Sequence, residues 1–75
     1  MNKAEVYEKY KRLVYSIVVA AKEDAEDLMQ DTFLSFFENY SCDMEDDKIK
    51  NTLCLIAKNK LKNFYKKEKP YEYID

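Results

Sequence analysis

The sequence predicts an all-α fold: a compact, antiparallel three-helix domain with room for one short extra turn. Three observations carry this. Apolar residues recur at three- and four-residue steps in three stretches, and no stretch alternates as a half-buried strand does. Gly is absent and Pro occurs once, at Pro70, so little interrupts a helix before that point. The 47% hydrophobic content, with seven Tyr and four Phe, gives enough apolar surface for a core.

The first helix is expected from Asn2 to about Ala21. Val6, Tyr10, Leu13, Ile17 and Ala21 form its inward stripe, widened by Tyr7, Val14 and Val18. Lys3, Glu5, Glu8, Lys9, Lys11 and Arg12 lie opposite, and Asn2 is a candidate cap. The β-branched Val14, Ile17, Val18 and Val19 weaken the local helix propensity, but the period outweighs that.

The second helix is expected from Glu23 or Asp24 to Asn39 or Tyr40. Asp24 is its candidate N-cap, and Glu26 and Asp27 set negative charge at the positive end of the helix dipole. Ala25, Leu28 or Met29, Phe33, Phe36, Phe37 and Tyr40 make the buried face. Without Gly, Asn39 is the residue suited to a left-handed ending.

Ser41–Asp47 reads as an acidic loop. The third helix follows from Asp46 or Asp47 to about Lys67, with Ile49, Leu53, Ile56, Ala57, Leu61 and Phe64 inward. Lys69-Pro70 should stop it. Residues 1–69 thus form one domain, and residues 70–75 a tail or the start of a linker.

Composition excludes whole classes of function. No Gly means no phosphate-cradling loop. No His removes the Ser/His/Asp triad, the Cys/His dyad and most zinc sites. Cys42 and Cys54 are twelve positions apart, so no metal motif exists and two free thiols in a reduced cytoplasm are expected. No catalytic residue, cofactor or metal ligand is assigned, and no membrane span or signal sequence is expected.

The net charge of −2 hides an asymmetry. Residues 1–47 hold five basic and twelve acidic side chains, a net of −7; residues 48–75 hold eight and three, a net of +5. Two surface strips express it. Asp27, Gln30, Asp31 and Leu34 follow i, i+3, i+4, i+7 on the second helix, beside its core stripe. Acids around one apolar residue suit a basic helical partner, although a solvated acidic face has the same pattern. On the third helix Lys58, Lys62, Lys66 and Lys69 form a stripe that Lys60 and Lys67 widen, interleaved with Asn59, Asn63 and Tyr65. Lys meets phosphates, Asn reads base edges and Tyr stacks on unpaired bases. A solvated face that balances the acidic half is the plain alternative. Tyr65, Tyr71 and Tyr73 are the aromatics expected outside the core.

Two strings narrow the choice: DAEDLMQDTFLSFF at 24–37 and LCLIAKNKLKNFYKK at 53–67, after YEKYKRLVYSIV in the first helix. In this order they resemble the second conserved region of bacterial sigma-70-type transcription initiation factors, nearest to the extracytoplasmic-function group. The resemblance spans residues 5–69. It implies a cytoplasmic, non-enzymatic helical domain. Its second helix would dock on the clamp helices of the largest subunit of core RNA polymerase, through Asp27, Gln30, Asp31 and Leu34. Its third helix and the preceding loop would bind the −10 promoter element and hold its melted strand. The matching positions are Lys58, Asn59, Lys62, Asn63, Phe64, Tyr65, Lys66 and Lys67.

The chain departs from that family in four ways. Thr52 stands where the family usually has Trp, and Cys54 where it often has Tyr. The loop SCDMEDDKI is more acidic than usual, and its acids would repel a DNA backbone. The family usually continues through a linker into a −35-reading helix-turn-helix domain, whereas this sequence stops at Asp75. The expectation is a stand-alone subunit of a split, two-subunit sigma factor, whose partner protein carries that domain. A decoy on the clamp and an excised piece of a longer chain are the other readings. From a different class comes an interaction module that titrates a sigma or anti-sigma factor without touching DNA.

Overall fold

The computed structural model describes residues 1–68. They form α1 (Lys3–Val18), a 3-10 segment (Val19–Asp24), α2 (Ala25–Asn39) and α3 (Asp46–Glu68), with no strand among them. The all-helical class is as expected, but the helices are not three separate rods. Helical residues follow one another without a loop over 3–39 and again over 46–68, and the first stretch folds back on itself at Lys22, whose backbone is not helical. The 3-10 segment is the extra turn. The predicted stop at Lys69-Pro70 and the tail 70–75 lie outside the described residues.

Helix α1 starts as its sequence suggests. The Asn2 side chain accepts from the Glu5 amide at 2.8 Å, and the Glu5 carboxylate accepts from the Asn2 amide at 3.0 Å. This capping box satisfies two amides that have no partner inside the helix. The helix ends at Val18, short of Ala21. Ile17, Val18 and Val19 are three β-branched residues in a row, and there the α-helix tightens to 3-10. Lys22 then takes φ 57, ψ −111, the one positive φ among the described residues. This reverses the chain without Gly. The left-handed ending expected at Asn39 does not occur. Asn39 is helical, and Tyr40 leaves α2 extended at φ −135, its amide donating to the Phe36 carbonyl at 2.8 Å.

Side-chain contacts set the helix directions. Tyr7 meets Phe33 at 4.9 Å between ring centroids, and the Lys3 ammonium lies 5.7 Å from the Phe37 ring. The start of α1 therefore lies beside the end of α2, and the two run antiparallel. The Tyr10 hydroxyl donates to the Asp46 carbonyl at 3.2 Å, and Lys9 pairs with the Asp46 carboxylate at 2.7 Å. Phe64 and Tyr65, far along α3, share a groove with Ala20–Asp24. Helix α3 therefore runs parallel to α1 and antiparallel to α2.

The core is one seam. Val6, Tyr10, Val14 and Val18 come from α1, Ala25, Met29, Phe33 and Phe36 from α2, and Ile49, Leu53 and Ala57 from α3. The α1 stripe is centred one step from expectation: Leu13 and Ile17 are only half-buried. Ile56, Leu61 and Phe64 are likewise half-buried. Tyr40 is 45% exposed although its ring stacks on Phe36 at 5.6 Å. Thr32, which no apolar pattern selects, is fully buried, and its hydroxyl donates to the Leu28 carbonyl at 2.7 Å. That bond removes the penalty of a lone buried hydroxyl.

Candidate functional site

All four residues of the α2 strip are exposed, and Leu34 is 58% exposed. At about 100° per residue, the strip points away from the buried Met29, Thr32 and Phe36, with the half-buried Leu28 and Phe37 on its flanks. It is the outer crest of the helix, not a lane beside the core stripe. Two grooves leave this crest. Asp31 joins Leu28, Lys60, Asn63 and Phe64 in a groove toward α3. Gln30 and Leu34 join Tyr7, Phe33 and Phe37 in a groove toward α1. An exposed Leu ringed by acceptors can seat an apolar knob while pairing with cations.

The eight α3 candidates do not share one face. Lys58, Asn59, Lys62, Tyr65 and Lys66 are exposed on the side away from the core. Asn63 and the half-buried Phe64 turn toward α2, and Phe64 also packs against the 3-10 segment. Lys60, half-buried, belongs with them rather than with the basic stripe. The side chain of Lys67 lies outside the described residues, as do Lys69, Tyr71 and Tyr73. Leu55 was not expected on this surface. It is 59% exposed and sits three residues before Lys58 and seven before Lys62, on the lysine side. Periodicity alone does not find it, because it adjoins the inward Ile56 in an apolar run.

The acidic loop has a local explanation. Asp46 and Asp47 occupy the first turn of α3, where negative charge meets the positive end of the dipole. Asp46 also holds Lys9, and that hydrogen bond raises the Lys9 ammonium above the ordinary lysine pKa. The Ser41 hydroxyl accepts from the Asp43 amide at 3.0 Å, which folds the loop into a turn. Asp43, Glu45, Asp46 and Asp47 are all exposed beside the start of α3.

Cys42 and Cys54 are free and half-buried. Among the described residues no group of His, Cys, Asp and Glu could hold a metal ion. No described helix is long and apolar enough to cross a membrane. The surface carries an acidic crest with a projecting Leu on α2 and a lysine face on α3.

Compared with known proteins, the chain matches the family described as sigma-70 region 2 over residues 6–71. No curated protein and no solved structure matches it. The family match takes in all three helices and both charged faces. The chain therefore belongs to the sigma-70 region 2 family, a non-enzymatic domain of RNA polymerase binding and transcription initiation.

Proposed function

We propose that this domain joins core RNA polymerase to the −10 region of a promoter through two separate faces. Asp27, Gln30, Asp31 and Leu34 dock on the clamp helices of the largest subunit. Lys58, Asn59, Lys62 and Lys66 meet the phosphates and base edges of the −10 DNA, and Tyr65 offers a stacking ring. Asn63 and Phe64 act from the α2 side, and Lys67 extends the charge.

The observation that carries this reading is the separation of charge by helix. The exposed crest of α2 bears Asp27 and Asp31, and the outer side of α3 bears Lys58, Lys62 and Lys66. One small domain can thus hold a basic protein surface and a phosphate backbone at once. A net charge of −2 predicts weak binding to free DNA. The anchor on polymerase, with a −35-reading helix-turn-helix unit on a partner protein, supplies the missing affinity.

Retention on immobilised core polymerase tests the first face. Asp31→Arg should lose it, and unchanged retention defeats the clamp assignment. Open-complex formation tests the second face. Lys62→Glu with Asn63→Ala should reduce it, and an unaltered open complex removes DNA from the role of α3.

One observation favours a second reading. Four exposed acids lie beside the start of α3, where DNA phosphates would be repelled. On that reading the domain occupies the clamp, or a sigma or anti-sigma partner, without holding DNA. The open-complex assay separates the two.

A further inference from the structure

Leu34 and Leu55 are the two most exposed large apolar side chains among the described residues, at 58% and 59%. Each ends a charged strip on the outer side of its helix. On α2 the strip is Asp27, Gln30, Asp31 and Leu34, at i, i+3, i+4 and i+7. On α3 it is Leu55, Lys58, Asn59 and Lys62, at the same steps. All of these residues are exposed. The order is reversed between the two: Leu closes the acidic strip and opens the basic one. Among the described residues Asp27, Asp31, Lys58 and Lys62 make no ion pair, so their charges are open to another molecule.

Reversed order at equal spacing is the pattern of two helices that pair antiparallel. With Leu34 level with Leu55, Asp31 comes level with Lys58, Gln30 with Asn59 and Asp27 with Lys62. The whole match falls within two turns, about 10 Å of helix. Laid parallel on the same Leu pair, Asp27 meets Lys48 and Asp31 meets Thr52, which leaves a single charge pair. Opposite charges level across a helix pair favour the register that joins them. Within one domain the two strips do not meet, because α2 and α3 pack through their buried residues and both strips point outward.

We propose that these faces bind each other between two copies of this chain: the acidic crest of α2 on one copy seats the lysine face of α3 on the next, antiparallel, around a Leu34–Leu55 contact. The contact is heterologous, since the two patches differ, and a pair of copies leaves one of each uncovered. It is small and edged by exposed ion pairs, which contribute little singly and are screened by salt, so association is weak. The proposal needs neither the clamp reading nor the DNA reading. Where those hold, self-association competes with both, because it covers the same two faces.

Sedimentation equilibrium of the full chain tests this without polymerase or DNA. At about 1 mM protein and about 0.01 M salt, the average mass should exceed the 9.0 kDa of one chain. Raising the salt to about 0.5 M should return it to that value. Asp27→Lys with Asp31→Lys should abolish association, as should Lys58→Glu with Lys62→Glu. An equimolar mixture of the two double variants should associate again, because each offers the charge the other lacks. Leu55→Gln changes no charge and should weaken association at least about fivefold. Every substituted position is exposed, so each variant should fold, and circular dichroism melts check it. A wild type that stays at one chain's mass, double variants that associate as the wild type does, or a mixture that stays monomeric overturns the pairing. Association unaltered by Leu55→Gln reduces it to diffuse attraction between charged surfaces and overturns the proposed seat. None of these results bears on retention by core polymerase, so the clamp reading stands or falls separately.

Discussion

Lys22 is the residue whose substitution tests the fold most directly. It holds φ 57, ψ −111 where the 3-10 segment turns into α2, and its side chain is exposed. A residue with a Cβ in such a region costs about 1–3 kcal/mol. Gly reaches positive φ without that clash, but it gives the unfolded chain about 0.4–1 kcal/mol more conformational entropy to lose. The difference leaves Lys22→Gly stabilising by up to about 2.5 kcal/mol. For a domain of this size each kcal/mol raises Tm by about 4–8 °C. Lys22→Ala is the control, since it removes the exposed ammonium and keeps the Cβ. Chemical denaturation followed by circular dichroism gives both free energies. At an ordinary exposed helix position Gly is worse than Ala by about 1 kcal/mol. Here the order should reverse. If Lys22→Gly is less stable than Lys22→Ala, the turn is not built as described and the account of how α1 joins α2 is wrong.

Other outcomes follow from the core, the caps and the Lys9–Asp46 pair. Phe36 is fully buried, stacked on Tyr40 and edge-on to Phe37 at 5.9 Å. Phe36→Ala should cost about 3–5 kcal/mol, against a total of about 4–11 kcal/mol for a chain this long. Urea titration should therefore show the midpoint moved far toward zero denaturant, and a loss under about 1.5 kcal/mol would mean the site collapses freely. Asn2→Ala should cost about 1 kcal/mol, whereas Asp24→Ala should cost under about 0.5, because Asp24 makes no side-chain cap bond; equal losses in thermal melts would contradict the capping geometry. Lys9 has its pKa raised by Asp46, so its contribution is fully present below the unfolded value of about 10.4 and is lost as pH rises through the folded value. Melts of wild type and Lys9→Gln should differ by a constant small amount from about pH 6 to 9 and converge only above the ordinary lysine range. Convergence already at neutral pH would refute the pair.

Much of the molecule was legible because helical periodicity is a local property. Ile49, Leu53 and Ala57 are buried at the spacing their sequence shows, and α3 begins at Asp46 as the run of acids suggests. The departures occur where a neighbour outweighs the local pattern. Tyr40 looks inward by spacing, yet α2 has ended and its ring rests on Phe36 with one side in solvent. Asn39 was the natural left-handed residue, but it stays helical and Tyr40 leaves α2 extended, so the loop 40–45 makes that reversal without a positive φ, and the positive φ falls at Lys22 between α1 and α2. Leu55 and Ile56 look alike in the sequence, and only the packing of α3 separates outside from inside.

The two candidate faces divide along the same line. Asp27, Gln30, Asp31 and Leu34 were found together by spacing, since four residues within two turns of one helix share a side whatever surrounds them. The sequence alone therefore determined an all-helical chain, its helix stripes, its charge asymmetry and the make-up of the acidic strip. Only the tertiary structure decided that the strip is the outer crest of α2, and that the α3 set splits between an outer lysine side and an α2-facing pair. It alone placed Tyr15 and Val19 around one hollow with Met29. Those facts depend on which helices pack together and in which direction, and that choice is made by burial across the whole seam rather than by any one stretch of residues.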